Sequence, residues 1–487
     1  MAGTLGPLAR GRPRGDLVAA VTAALAEVAE AATVVVAVSG GSDSTALAYL
    51  VAEARDDLDL HLVNVRHGLR DDTAEQEVLD VHAAYLGLPL RRVEVDVAPA
   101  GEGIEAAARQ ARYTALAAAA TEVGATLVLV GHTADDQAET VLLRAARGTG
   151  TDGLGAMPRR RDLDRRIGLF RPLLGLRRTS LRDFLAAEGL PFVDDPTNTD
   201  PQVRRSVVRN VVLPALDQVG GDPVGALARL ADLSRADAEA LDDMAATEMA
   251  TMVVRVGPIR CLPDARLALL PLALRRRVVR AVLAELLERP LGADAVDRVL
   301  ALASGAAVDL AGDVRATAGG GWRTIGPPAV QDTPTTALTV PGEVVWPTIG
   351  ARIVAITPQT DLSQDLAAGQ IAFQLAEAWT PPAVRVPGHL VPPGGTSARM
   401  SLALGADHGR LEVRSRRPGD RVRTGGGTRR LQDVLIDAGL PRPVRDLWPI
   451  VADGSRVVWV PGIAADVETV RDGRAAPRAL LVVQSAV

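Results

Sequence analysis

The chain contains no lysine: all 54 basic residues are arginine. That absence excludes a Walker-type phosphate lysine, a Schiff-base lysine and a lysine general base. It leaves cations that stay charged and whose planar fork suits phosphate. Cysteine is almost absent as well, with Cys261 alone in 487 residues. Disulfides, cysteine zinc sites, iron–sulfur clusters and persulfide chemistry on a cysteine pair are thereby excluded, and a single cysteine suits a cytosolic chain. Aromatic residues make up 2% of the sequence, so its cores rest on Ala, Val and Leu. No apolar run reaches about 18 residues. The first residues carry Arg10, Arg12 and Arg14, and Val18–Ala32 that follows includes Glu27 and Glu30, which makes an amphipathic helix and not a signal segment. A soluble, cytoplasmic protein with no membrane partner is expected.

What is present is organised around Val34–Ser44. Five apolar residues, Val34 to Val38, read as a buried strand. Ser39-Gly40-Gly41-Ser42-Asp43-Ser44 follows, and a helix runs from Thr45 to Ala54. A strand that turns through two glycines into a helix makes a phosphate cradle. The backbone approaches the anion closely, and the helix N-terminus favours its charge. Ser39, Ser42 and Ser44 can add hydroxyl donors, and Asp43 is placed to meet a magnesium ion or a phosphate-bound water.

Further strands are expected at Leu60–Val65, Leu90–Val97 and Thr126–Val130, with helices at Ala74–Leu86 and Gly103–Val123. A strand about every thirty residues, with helices between, predicts an α/β fold with a doubly wound parallel sheet, whose ligand lies beyond the carboxyl ends of the strands. Those ends carry the Ser39–Ser44 turn, then Arg66-His67-Gly68-Leu69-Arg70, then Gly131-His132-Thr133-Ala134-Asp135-Asp136-Gln137-Ala138-Glu139-Thr140. The helix before the fourth strand carries Glu105, Arg109, Arg112 and Tyr113 on roughly one face. Asp136 and Glu139 share a helix face three residues apart. They could hold an ammonium group, or stand as a solvated face or as favourable charges at a helix start.

From Pro158 to Arg182 there are nine arginines against two acids, a band that could lie along an RNA backbone or simply solubilise a surface. Residues 219–330 read as mainly helical, with a β appendage over Val308–Ile325. Residues 331–410 are linker-like, with strand segments. Residues 411–487 read as a basic α+β domain, with nine arginines against three acids between Arg414 and Arg445. A helix is expected there over Thr428–Ala438. With about three domains expected for the length, residues 1–218 form the catalytic domain and the basic C-terminal block offers Arg414, Arg417 and Arg421 for RNA phosphates.

The Ser39–Ser44 loop resembles that of the PP-loop ATP pyrophosphatases, which have a Rossmann-like fold. R-H-G-L-R at 66–70, E-A-A-A-R-Q-A-R-Y at 105–113, G-H-T-A-D-D-Q-A-E-T at 131–140 and R-G-T-G-T-D-G-L at 147–154 narrow this. So do R-P-L-L at 171–174, D-P-T-N at 195–198, Arg205, Arg209 and the P-G-D-R and L-P-R-P-V-R-D segments. Together they are similar to the tRNA(Ile)-lysidine synthetase family. The resemblance implies a ligase that uses ATP with Mg²⁺ to adenylate C2 of the wobble cytidine of an isoleucine tRNA with a CAU anticodon. Free L-lysine would then displace AMP. It implies ATP contacts at Ser39 to Ser44 and His67, the metal at Asp43, and the lysine at Asp136 and Glu139. Arg112, His132 and Asp136 would act at the reacting centre, Asp136 being the better guess for the proton acceptor. Arg70 would lie near the nucleotide and the cytidine of the tRNA, and Arg205 and Arg209 would meet the tRNA or order the site. The oligomeric state stays open, a homodimer included.

Other readings compete. A tRNA thiolase on the same loop would call for paired cysteines, and an amidating synthetase for an ammonia source with no glutaminase cysteine in view. A non-catalytic RNA-binding protein would leave the Asp136/Glu139 pair and an intact phosphate loop without a use.

Overall fold

The structure is a computed structural model describing residues 12–66, 72–96, 104–194, 204–289, 291–328, 335–339, 342–346, 351–356, 399–402, 411–467 and 479–485. The chain divides into two compact units, residues 1–240 and 241–487, with the boundary inside the helix Pro223–Met252.

The first unit is built on β1 (Thr33–Ala37), β2 (Asp59–Arg66), β3 (Leu90–Glu94), β4 (Leu127–Leu129), β5 (Arg160–Asp162) and β6 (Gly168–Phe170). Their order in the sheet is β3-β2-β1-β4-β6-β5. The first five in that order are parallel, and β5 pairs antiparallel with β6 as the edge. Successive β1 side chains point to opposite faces, and both faces are covered, which is why the strand is apolar throughout. Val34 and Val36 pack with Leu17 and Val21 of α1 (Arg12–Ala24), Leu47 and Leu50 of α2 (Ser42–Ala54) and, beyond the intervening helices, Leu181 and Phe184. Val35 faces the other layer, against Tyr113 and Leu116 of the helix Ile104–Glu122. The remaining helices of this unit that matter for the site are α3 (Thr73–Leu86), α4 (Ile104–Glu122), α5 (Ala134–Ala145), α6 (Thr151–Leu154) and α7 (Arg178–Ala187).

The expected parallel sheet and its strand–helix alternation are present. Two expectations shift. The helix at the start ends at Ala24 and does not continue to Ala32. The β5–β6 hairpin, inside the arginine band, carries no sequence signal: each strand has three residues, too few to show a period, and edge strand β5 carries charge, as edge strands do.

In the second unit a five-stranded sheet includes Val254–Val256 and Ile259–Pro263, so the stretch expected to be mainly helical carries a strand pair after the helix Pro223–Met252, and Cys261 lies in one of the two strands. The helices Leu272–Ala284 and Ala293–Leu300 pack on that sheet through Val278, Val282, Val296 and Val299. Strands Leu411–Arg414, Arg421–Thr424, Gly427–Arg430, Ile450–Asp453 and Arg456–Val460 belong to another sheet. The helix expected over Thr428–Ala438 is shorter, Leu431–Asp437, because Gly427–Arg430 pairs with Arg421–Thr424 as a hairpin. Most of residues 331–410 lie outside the described residues. No helix among the described residues is long and apolar enough to cross a membrane.

Arg414 does not fit its expected role as a phosphate contact. Its side chain is 1% exposed. It donates two parallel hydrogen bonds to Asp420, at 2.8 and 2.9 Å, and a third to Glu412 at 2.8 Å. A guanidinium so enclosed ties strand Leu411–Arg414 to the turn before Arg421 and has no face left for RNA. Removing it would strand a buried Asp420, so Arg414→Ala should destabilise by about 3–5 kcal/mol. All five tryptophans lie at 322 and beyond, so urea unfolding followed by tryptophan fluorescence reads this unit. A curve that overlays the wild type would show that the pair contributes nothing.

Candidate active site

Strand order reverses between β1 and β4: the chain leaves β1 toward β2 and later returns on the other side to β4. At such a switch point the loops beyond the two strands part and leave a crevice. On the β1 side, Gly40 adopts φ +79°, a conformation that favours glycine, and a Cβ there would come within 3.1 Å of Glu75. The loop is tied by its serines. The Ser39 amide donates to Ser44 Oγ at 3.1 Å, and Ser44 Oγ donates to the Gly41 carbonyl at 3.0 Å. Gly41 then caps α2 without a side-chain bond.

On the β4 side, Gly131 is packed against the start of α2: a Cβ there would lie 2.8 Å from the Asp43 carbonyl oxygen. Thr133 caps α5 in a capping box. Its amide and hydroxyl donate to Asp136 Oδ2 at 2.8 and 2.9 Å. Asp136 is thus a helix-capping charge and also a wall of the crevice, whose volume is about 440 Å³. The crevice is lined from the loop by Val38, Ser39, Asp43 and Ser44, from α4 by Arg109, Arg112 and Tyr113, and by His132, Asp136 and Arg205. A larger cavity, about 620 Å³, lies against α1 and contains none of these groups.

Charge fills the floor of the crevice. Arg178, the first residue of α7, donates through Nε to Asp43 at 2.9 Å and through Nη2 to Asp136 at 3.0 Å. Its Nη1 lies 3.4 Å from Glu139, and its backbone amide donates to Asp135 at 2.7 Å. Arg205 donates to Glu139 at 2.6 Å and to Asp136 at 3.3 Å, and Arg209 donates to Glu139 at 2.7 Å. Glu139 is fully buried. Three carboxylates therefore meet three guanidiniums. Burial pushes the Asp43 carboxyl up, against the pull of Arg178. Burial also opposes the Asp136 charge, but Arg178 and Arg205 outweigh it and hold that carboxyl well below the usual range. Arg178 itself is raised, its burial outweighed by Asp136 and Asp43. His132 is lowered to about 3, by burial first; Asp136 pulls the other way, and Arg171, Arg109 and Arg205 lower it further.

The structure thus brings Ser39, Gly40, Gly41, Ser42, Asp43, Ser44, Arg112, His132, Asp136, Glu139, Arg205 and Arg209 to one end of one sheet. His67, Arg70 and the Asp195–Asn198 turn lie outside the described residues, as does the Glu105 side chain. Arg417 is half exposed and Arg421 exposed, both in the second unit. Two residues of the arginine band turn inward, against the expectation of an RNA-facing row: Arg178, and Arg171, which is 1% exposed. Composition showed the band. Nothing in it distinguishes an arginine that faces solvent from one that meets carboxylates forty residues away.

A doubly wound sheet with this loop at its switch point is a nucleotide-binding domain of the PP-loop class, and residues 16–216 match the family model described as PP-loop domain. Residues 411–479 match the model described as TilS substrate C-terminal domain. A tRNA(Ile)-lysidine synthase of Symbiobacterium thermophilum is 33% identical over 467 residues, covering 89% of this chain and 90% of that one. One of Ralstonia nicotianae is 34% identical, covering 91% of each. One of Salinispora arenicola is 47% identical over 232 residues, covering 46% of this chain and 69% of that one. The chain belongs to the tRNA(Ile)-lysidine synthase family.

The Gly131 contact is directly testable. Gly131→Ala drives a methyl group into the Asp43 backbone, so ATP affinity, measured by equilibrium binding, should fall at least about tenfold. Gly150→Ala, with nothing within 4 Å of the added carbon, should leave it unchanged. Equal affinity in both variants would mean that the α2 N-terminus does not hold the nucleotide.

Proposed function

We propose that this chain is an ATP-dependent ligase that joins free L-lysine to C2 of the wobble cytidine in an isoleucine tRNA with a CAU anticodon. The observation that carries the reading is the junction of a phosphate loop with a carboxylate trio, Asp43 and Asp136 lining the crevice and Glu139 fully buried beside Asp136, all three paired with guanidiniums. Such a place is built for phosphate on one side and for a cation on the other. Family membership supplies the substrate names.

Two displacements make up the reaction. Cytidine O2 attacks the α-phosphorus of ATP, and pyrophosphate leaves. The neutral ε-amine then attacks C2, the C2–O2 bond breaks, and AMP departs with that oxygen. The loop from Ser39 to Ser44 binds the phosphates through amides and hydroxyls. Asp43 is the residue that would hold Mg²⁺: it is a carboxylate at the loop whose burial demands a cation. When bound, the ion supplies neutralising charge to the phosphates. Arg112 and His132 face the same space as donors.

Asp136 and Glu139 anchor the incoming ammonium in this reading, with one guanidinium giving way to it. The expectation that Asp136 also takes the amine proton conflicts with its surroundings: a carboxylate stabilised by Arg178, Arg205 and the Thr133 amide is a poor proton acceptor. Its role is the anchor. Of the two expectations for Arg205 and Arg209, contact with the tRNA or ordering of the site, their pairing with Glu139 supports the second. Phosphate contact falls to exposed cations such as Arg417 and Arg421. Sulfur transfer is disfavoured by Cys261, which is fully buried and whose thiol burial pushes up to about 12.

Purified protein with ATP, Mg²⁺ and labelled lysine should label the CAU isoleucine tRNA, and changing the wobble cytidine to uridine should abolish it. Labelling of the uridine tRNA would sink the substrate assignment. Asp136→Asn should raise the lysine KM roughly 10- to 100-fold, the worth of a charge-assisted bond, while ATP KM stays near the wild-type value. A normal lysine KM would remove Asp136 from the amine site.

A further inference from the structure

Arg171 follows directly after β6 and is among the largest fully buried side chains of the protein. Buried cations are ordinarily paired with carboxylates. The acceptors of Arg171 are instead the Pro158 carbonyl oxygen, at 2.7 Å from Nη1, and His132 Nδ1, at 3.2 Å from Nε. The Tyr113 hydroxyl is a further neighbour. Burial lowers this guanidinium to about 10, still charged at neutral pH.

A guanidinium has only N–H donors. Nδ1 of His132 must therefore present its lone pair to Arg171, and the ring proton must sit on Nε2. The other charged groups facing the imidazole are Asp136 of α5, Arg109 of α4 and Arg205. Of these only Asp136 favours an imidazolium, and its two oxygens are engaged by Thr133, Arg178 and Arg205. Among the described residues Nε2 has no hydrogen-bond partner, and His132 lines the crevice beside Asp43 and Ser39.

We propose that Arg171 is a positioning residue that fixes His132 as the Nε2–H tautomer, so that His132 meets the reacting nucleotide as a neutral hydrogen-bond donor and not as a base. The identity of that nucleotide rests on the function proposed above; the tautomer does not. Both ring nitrogens are committed: Nδ1 is capped by a cation, and Nε2 already holds a proton. The amine proton cannot pass to this ring. What the ring offers is a fixed dipole for an oxygen that gains charge: a phosphate oxygen as pyrophosphate leaves, or O2 as it departs with AMP.

The tautomer is read from the full chain with ¹⁵N-labelled histidine, by long-range ¹⁵N–¹H correlation at pH 7, with His132 assigned by its loss in His132→Gln. The expected pattern is an unprotonated Nδ1 and a protonated Nε2. An Nδ1–H ring or an imidazolium would overturn the proposal. Arg171→Met should mix the tautomers and lower kcat for pyrophosphate release on the order of 10-fold or more, with ATP KM little changed. A retained pure Nε2–H pattern in that variant would show that Arg171 does not set it. Should Arg171→Met fail to fold, His132→Gln and His132→Ala decide. Gln keeps an N–H near the Nε2 position and cannot act as a base, so it should stay within about tenfold of wild type while Ala falls roughly 100-fold. Equal losses would overturn the donor role. Wild-type protein that shows the Nε2–H ring yet transfers no lysine would overturn the function proposed above and leave the tautomer assignment standing.

Discussion

The site depends on one electrostatic constraint: Asp136 and Glu139, both buried, and Asp43, partly so, are brought together and must be neutralised. Two carboxylates on one helix, three residues apart, and a third from another strand's loop would repel one another at close quarters. Arg178, Arg205 and Arg209 meet that need with planar forks that reach several oxygens at once. A buried network of this kind adds little net stability against an apolar core, but losing one member leaves a buried charge uncompensated. It therefore holds its geometry strictly, and it admits a cation from outside only by exchange for one already there.

Arg178 is the member that joins the two halves. It bonds to Asp43 of the phosphate loop and to Asp136 of α5, and its own amide is fixed on Asp135. The close seat of Gly131 on the Asp43 backbone holds the same two halves by shape. On the proposed function, phosphate binding and amine binding thus share a wall. In the proposed reaction a cation arriving at Asp43 and an ammonium arriving at Asp136 both displace the same guanidinium, so the two binding events are coupled through that one side chain.

How much of this was legible in the residues follows from range. The buried strand Val34–Val38, its glycine turn and the helix after it are local, and each has a sequence period or a turn chemistry to read. Asp136 and Glu139 were legible as a pair because a helix sets their spacing. The partners of that pair were not. Arg178 is about forty residues from Asp136, and Arg205 about seventy from both the pair and the capping turn; only the fold of the sheet makes them neighbours. Arg414 failed for the same reason in the opposite direction. Its basic surroundings read as a surface, while Asp420, six residues on, folds back over it. The β5–β6 hairpin was too short to carry a pattern.

The absence of lysine acquires a chemical meaning once the site is seen. On the proposed function, a carboxylate trio that awaits an amine has to be kept neutral by some other cation until the amine arrives. A lysine in that role would bring a primary amine with an ordinary pKa near 10.4, able to deprotonate beside an electrophilic, adenylated base and attack it. A guanidinium stays protonated, more firmly so in Arg178, whose pKa is raised by Asp136 and Asp43. It also has no free lone pair to offer as a nucleophile. Arginine therefore holds the place of the amine without being able to react in its stead. On the proposed function, the amine that reaches C2 is the one that comes from solution.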